Sequence, residues 1–191
     1  MTYEEFYGND YSKLQQAEAM LNDLLSKFQE NENEKKIAYV SSRIKSPDSM
    51  QKKLVKKGEQ PTGKNALLKV NDAVGVRVIC SFIDDIYKVS DWISKQEMIE
   101  VINIKDYIAY PKENGYRSFH MIIKLKDLNL NAEIQIRTIA LDFWANLEHQ
   151  MKYKRDIKNE EMIRSELKRC ADEIASVDLS MQTIKDLIFM N

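Results

Sequence analysis

The 191 residues, 43% of them hydrophobic and 31% charged, suffice for one domain with a substantial core and are too few for two large ones. A formal net charge of -1 excludes a uniformly basic nucleic-acid coat, and the two histidines, His120 and His149, exclude a multi-histidine metal site. No apolar run reaches membrane-spanning length and the acidic start MTYEEFYGND is no signal peptide, so a cytoplasmic protein with no membrane attachment is expected.

In chain order, Leu14, Leu21, Leu25 and Phe28 repeat at helical spacing, which predicts an amphipathic helix over 11–30 that the polar run NENEKK ends. KIAYVSSRIK reads as a strand with Arg43 and Lys45 on one face and Ile44 on the other. SPDSMQKKLVKKG reads as a helix that stacks Lys52 over Lys56 and Lys53 over Lys57, a repulsion of roughly 0.2–0.5 kcal/mol per pair that a polyphosphate would relieve. The plainer reading is a solvated lysine face. GEQPTGKN is either a mobile lid or an ordinary connection. VGVRVICSF is a second strand, preceded by Asp72 and opened by Gly75 to close backbone approach; Cys80 within it, like Cys170 later, has no metal-ligand spacing and reads as a buried free thiol.

A helix over 83–95 leads to the strands IEVINIKDYI, YRSFHMIIKL and AEIQIRT. In the second of these Tyr116, Ser118 and His120 share a face opposite Arg117 and Phe119; in the third Glu133, Gln135 and Arg137 oppose Ala132, Ile134 and Ile136. From Ile139 the pattern is helical, and Ile163, Leu167, Cys170, Ile174, Val177, Met181, Ile184 and Ile188 form one apolar stripe. The fold class is α+β: a mixed or antiparallel sheet of five strands flanked by helices, extended by helices at both ends.

Charge is concentrated. Between Arg43 and Lys69 eight basic residues stand against Asp48 and Glu59, which points to an anionic ligand. The bend KDYIAYPKENGYRSFH carries more chemistry than a hairpin needs. Asp72 and Glu133 are the carboxylates placed to hold Mg²⁺ from neighbouring strands, although an N-cap and a surface ion pair explain them as well.

SSRIKSPDSMQKK, DAVGVR, YPKENGYRSFH, EIQIRT and FWANLEHQMKYK, in that order, resemble the synthetase domain of the RelA/SpoT family over roughly residues 37–155. Residues 1–36 then form an N-terminal helical segment and 156–191 a C-terminal helix. Having no room for a hydrolase or regulatory domain, the chain resembles the small, single-domain alarmone synthetases, as does Arg117, where long members usually carry Gln.

That resemblance implies a nucleotidyltransferase-like fold and transfer of pyrophosphate from ATP to the 3′-hydroxyl of GDP or GTP, giving AMP and ppGpp or pppGpp. By the same correspondence Asp72 and Glu133 hold Mg²⁺, with Glu133 also assisting deprotonation of the hydroxyl. Arg43 and Arg77 sandwich adenine, Lys45, Ser49, Lys53, Lys56 and Lys57 contact the ATP phosphates, and Lys112, Asn114, Tyr116 and His120 receive GDP or GTP. Asn114 also reads as a purely structural turn residue. Trp144 reads as core, with Glu148 and His149 recurring in the family. A homotetramer held by the terminal helices is expected, and RNA stands as a further, regulatory ligand. The rival readings are a toxin-type pyrophosphokinase acting on adenosine nucleotides or the tRNA 3′ end, and an RNA-binding module built on the basic segment.

Overall fold

The computed structural model describes residues 1–30, 35–152 and 159–189. Helix α1 (Tyr3–Tyr7) is opened by a reciprocal capping box between Thr2 and Glu5, and α2 (Asp10–Glu30) buries Leu14, Ala17, Leu21, Leu24, Leu25 and Phe28, the period read from the sequence. The first four residues of NENEKK, 31–34, lie outside the described residues.

Five strands form one sheet: β1 (Ile37–Ile44), β2 (Val74–Cys80), β3 (Ile99–Asp106), β4 (Phe119–Leu125) and β5 (Leu130–Thr138). Their spatial order is β1-β2-β5-β4-β3, antiparallel throughout except for the parallel pair β2 and β5. The architecture is therefore α+β with a mixed sheet, as expected. Register sorts the two faces. Val74, Val76 and Val78 lie beside Ala132, Ile134 and Ile136, which lie beside Ile123, Met121 and Phe119. All nine are buried in one cluster with α2 and with Ile86, Val89 and Ile93 of α5 (Ile83–Ser94). The other face is left for polar groups.

Between β1 and β2 run α3 (Pro47–Lys56) and α4 (Gly63–Lys69). GEQPTGKN, open between a lid and an ordinary connection in the sequence, is held at its second half. Thr62 caps α4, accepting from the Asn65 amide at 3.2 Å, and Gly63 is pressed on α1, where an added Cβ would fall 2.3 Å from the Phe6 carbonyl oxygen. The second half of that segment is thereby docked.

After the sheet come α6 (Ile139–Lys152) and α7 (Glu160–Phe189). The expected boundary at 155/156 lies outside the described residues. α7 does not bury its apolar stripe along its length: Ile163, Leu167, Cys170 and Ile174 are half-buried, whereas Val177, Met181, Ile184 and Ile188 are between 47% and 62% exposed. The buried positions are Ala171, Asp178 and Lys185. Leu167, Cys170 and Ile174 pack on the apolar cluster of Trp144, Ala145 and Ala171, whereas farther along Thr138 donates to Asp178 at 2.5 Å and Lys185 reaches Asp84 at 2.8 Å and Asp85 at 3.0 Å, so the second half of the helix docks through a polar line. Among the described residues no helix is long and apolar enough to cross a membrane.

Candidate active site

The polar sheet face is organised in rows across the strands. One runs Arg43, Gly75, Glu133, Ile122, Asn103; the next runs Ser41, Arg77, Gln135, His120, Lys105. Neighbours in a row share a face, so five strands distant in sequence converge their alternate side chains. A Cβ built on Gly75 meets nothing within 4 Å, which leaves an open slot between Arg43 and Glu133.

Asp72, two residues before β2, accepts from Lys45 at 2.8 Å and Lys53 at 2.6 Å, both on Oδ2. Its Oδ1 is buried and, among the described residues, receives no hydrogen bond. Burial alone would push this carboxyl up, but the two ammonium groups outweigh it and hold Asp72 below the usual carboxylate range. Glu133 is bonded to His120 Nδ1 at 3.2 Å and accepts from Gln135 at 3.0 Å. There too burial opposes ionisation, and the His120 and Gln135 contacts prevail over it and over the Asp72 charge, so Glu133 is held low and ionised.

Two cavities meet at these carboxylates. One, of about 250 Å³, is lined by Arg43, Lys45, Gly75 and Arg77; the other, of about 320 Å³, by Lys53, Lys57, Lys105, Tyr107, Lys112 and His120; Asp72 and Glu133 line both. Basic groups on each flank and carboxylates in the shared wall suit two polyanions brought together over a cation. Among the described residues no three His, Cys, Asp or Glu side chains gather as a metal site, so a cation here would rest on two carboxylates and on ligand oxygens.

At the far end of the second cavity, the Tyr116 hydroxyl bonds His120 Nε2 at 2.8 Å and accepts from Arg137 at 2.8 Å. Lys112 Nζ stands over the rings of Tyr107 and Tyr116, 4.6 and 4.8 Å from their centroids. Asn114 accepts from the Tyr116 amide and donates to Glu148 at 3.1 Å, and Gly115 takes φ 86°, a left-handed turn position that favours glycine. Behind both cavities is a buried hub: Asp142 accepts from Arg137 at 2.9 Å, Tyr39 at 2.7 Å and Asn146 at 2.9 Å, and lies 3.4 Å from Arg77.

A family profile described as "Region found in RelA / SpoT proteins" matches residues 42–158, and the chain is 44% identical over 156 residues to GTP pyrophosphokinase YwaC of Bacillus subtilis (strain 168), covering 78% of this chain and 74% of that protein. The chain belongs to the RelA/SpoT family. Among solved structures it is similar to small alarmone synthetase 2 from Bacillus subtilis, with a TM-score of 0.75 at 40% identity over 87% of this chain and 93% of that one. It is also similar to small alarmone synthetase 1 from Bacillus subtilis bound to its product pppGpp, with a TM-score of 0.79 at 29% identity over 92% and 94% of the two chains.

In this RelA/SpoT chain the fold brings Asp72, Glu133, Arg43, Lys45, Lys53, Lys57, Arg77, Lys112 and His120 to the cavity walls, with Tyr116 joined to them through His120. Ser49 and Lys56 line neither cavity. Both are exposed on α3, and Ser49 accepts from Ser46. Asn114 occupies a turn role here, and Trp144 is core, donating to the Leu167 carbonyl. The sequence reading gave no role to Tyr107, Lys105 or the Arg137–Asp142 pair. Tyr107 follows Lys105 by two, the strand period that shares a face, and Arg137 shares a face with Glu133; those alternations were the available signal.

Proposed function

We propose that this chain is a (p)ppGpp synthetase, transferring pyrophosphate from ATP to the 3′-hydroxyl of GDP or GTP with release of AMP. The observation that carries the reading is the pair of basic cavities sharing the Asp72 and Glu133 wall. ATP takes the cavity of Arg43 and Arg77. The planar guanidinium groups and the slot over Gly75 suit a flat base, and Lys45 and Lys53 lie toward the shared wall where its phosphates would run. GDP or GTP takes the other, its base stacked on Tyr116 in place of Lys112, which swings to the phosphates.

Mg²⁺ fits the wall: Asp72 Oδ1 is a buried oxygen lacking a donor, and both carboxyls are held ionised. Bound there, Mg²⁺ would polarise the transferring phosphates and offset their charge. Glu133 accepts the proton of the attacking 3′-hydroxyl, and His120, bonded to it through Nδ1, fixes its orientation. Lys45 and Lys53, both paired with Asp72, stand where they can neutralise phosphates brought to the wall. We further assign the chain to the cytoplasm, as a homotetramer formed through the exposed face of α7.

The test is a substrate panel: purified chain with labelled ATP, Mg²⁺ and, in turn, GDP, GTP, AMP or tRNA, with products resolved by chromatography. AMP release with a 3′-pyrophosphorylated guanine nucleotide is expected. Labelling of AMP or tRNA alone would replace this reading with the toxin-type one.

A further inference from the structure

The turn from Lys112 to Arg117, which presents the second cavity's aromatic end, is held by α7 as well as by the sheet. Arg117 points away from both cavities. Its Nη1 donates to the Gly115 carbonyl at 3.1 Å and the Ala171 carbonyl at 3.4 Å, and its Nη2 donates to Asp172 at 3.0 Å. Gly115 touches the helix directly, since an added Cβ would stand 2.6 Å from the Ala171 side chain and 3.3 Å from Lys168 Cα. Tyr116 packs on the cluster of Trp144, Ala145 and Ala171. Asp172 is also bonded by Lys168, four residues earlier on the same helix, so the carboxylate is oriented before Arg117 reaches it. The planar guanidinium serves two carbonyls and a carboxylate together, a geometry that lysine cannot reproduce.

We propose that Arg117 is a positioning residue for the guanine nucleotide: by bridging Gly115 to Ala171 and Asp172 it locks the 112–117 turn onto α7, so that the seating of α7 sets affinity for GDP or GTP. This rests on the guanine assignment made above. Arg117 contacts no reacting atom. Its effect travels through Gly115 to the adjoining Tyr116, whose hydroxyl orients His120.

The experiment compares Arg117→Ala, Arg117→Lys, Asp172→Asn and the double variant Arg117→Ala/Asp172→Asn. The Michaelis constants for GTP and ATP are measured separately, and hydrogen exchange of the Lys112, Gly115 and Tyr116 amides is measured without nucleotide. Each single variant raises KM for GTP by about three- to tenfold, the range of a partly exposed charged contact, and leaves KM for ATP and kcat at saturation unchanged. Arg117→Lys does not restore affinity, the double variant is no worse than the worse single one, and amide exchange in the turn accelerates. An unchanged KM for GTP, an equal rise for ATP, or unaltered exchange would overturn the proposal. A wild-type chain without transferase activity would instead overturn the function above, while exchange still decides whether Arg117 holds the turn.

Discussion

Arg43 is paired with Gly75 across the ladder of β1 and β2, and among the described residues nothing stands within 4 Å of a Cβ added to Gly75. A β-branched residue is well suited to a strand, so Gly75→Val is expected to fold with an unchanged or higher melting temperature. The same substitution fills the slot between Arg43 and Glu133, and activity at limiting ATP should fall by about 10²-fold through displacement of the nucleotide. A thermal melt beside a transferase assay checks both halves.

Tyr116 and Arg43 should separate the two substrates. Tyr116→Ala is expected to raise KM for GDP or GTP by roughly 5- to 150-fold, the equivalent of a base stack of 1–3 kcal/mol, with little change for ATP. Arg43→Ala should do the reverse. Initial rates with each nucleotide varied in turn give the comparison, and impairment of the same nucleotide by both variants would contradict the allocation.

The strands and their chemical faces were legible because period-two alternation survives in the sequence itself: Glu133, Gln135 and Arg137 stand out against Ala132, Ile134 and Ile136. The seating of α7 was not. Its apolar stripe is the strongest local signal in that segment, yet beyond Ile174 the domain receives Asp178 and Lys185, whose partners Thr138, Asp84 and Asp85 lie 40 to 101 residues away. No local period encodes such a long-range polar pairing. The junction of Tyr107 with Tyr116 escaped for a similar reason, since it depends on β3 and β4 converging through the Tyr107 amide and the Ser118 carbonyl.

Burial pushes Asp178 above the usual carboxylate range against the opposing bond from Thr138. A carboxyl raised on folding contributes stability that is fully present below its unfolded pKa and is lost as pH rises through the folded one. Asp178→Asn, which can keep the Thr138 bond, should therefore melt higher than the parent above the acid range, and the difference should shrink on acidification. A change of 1 kcal/mol moves the midpoint by about 2–4 °C in a chain of this size, so melts at acid and neutral pH resolve it.

Met181→Glu with Ile184→Glu places charge on the exposed stripe of α7 without touching Asp178 or Lys185. Light scattering at micromolar concentration should show the parent as a tetramer and the variant as a smaller species with an unchanged circular dichroism spectrum. A parent that is already a compact monomer would remove this stripe as an interface.

The proposed function puts pyrophosphate transfer at the wall of Asp72 and Glu133 between the two cavities. The most direct measurement is single-turnover transfer from labelled ATP to GTP with Mg²⁺ in Glu133→Gln, with binding of each nucleotide followed separately. Both nucleotides should still bind, the fold should melt normally, and the transfer rate should fall by about 10²–10⁴-fold. A folded Glu133→Gln that transfers pyrophosphate at near the parent rate would contradict the proposed function.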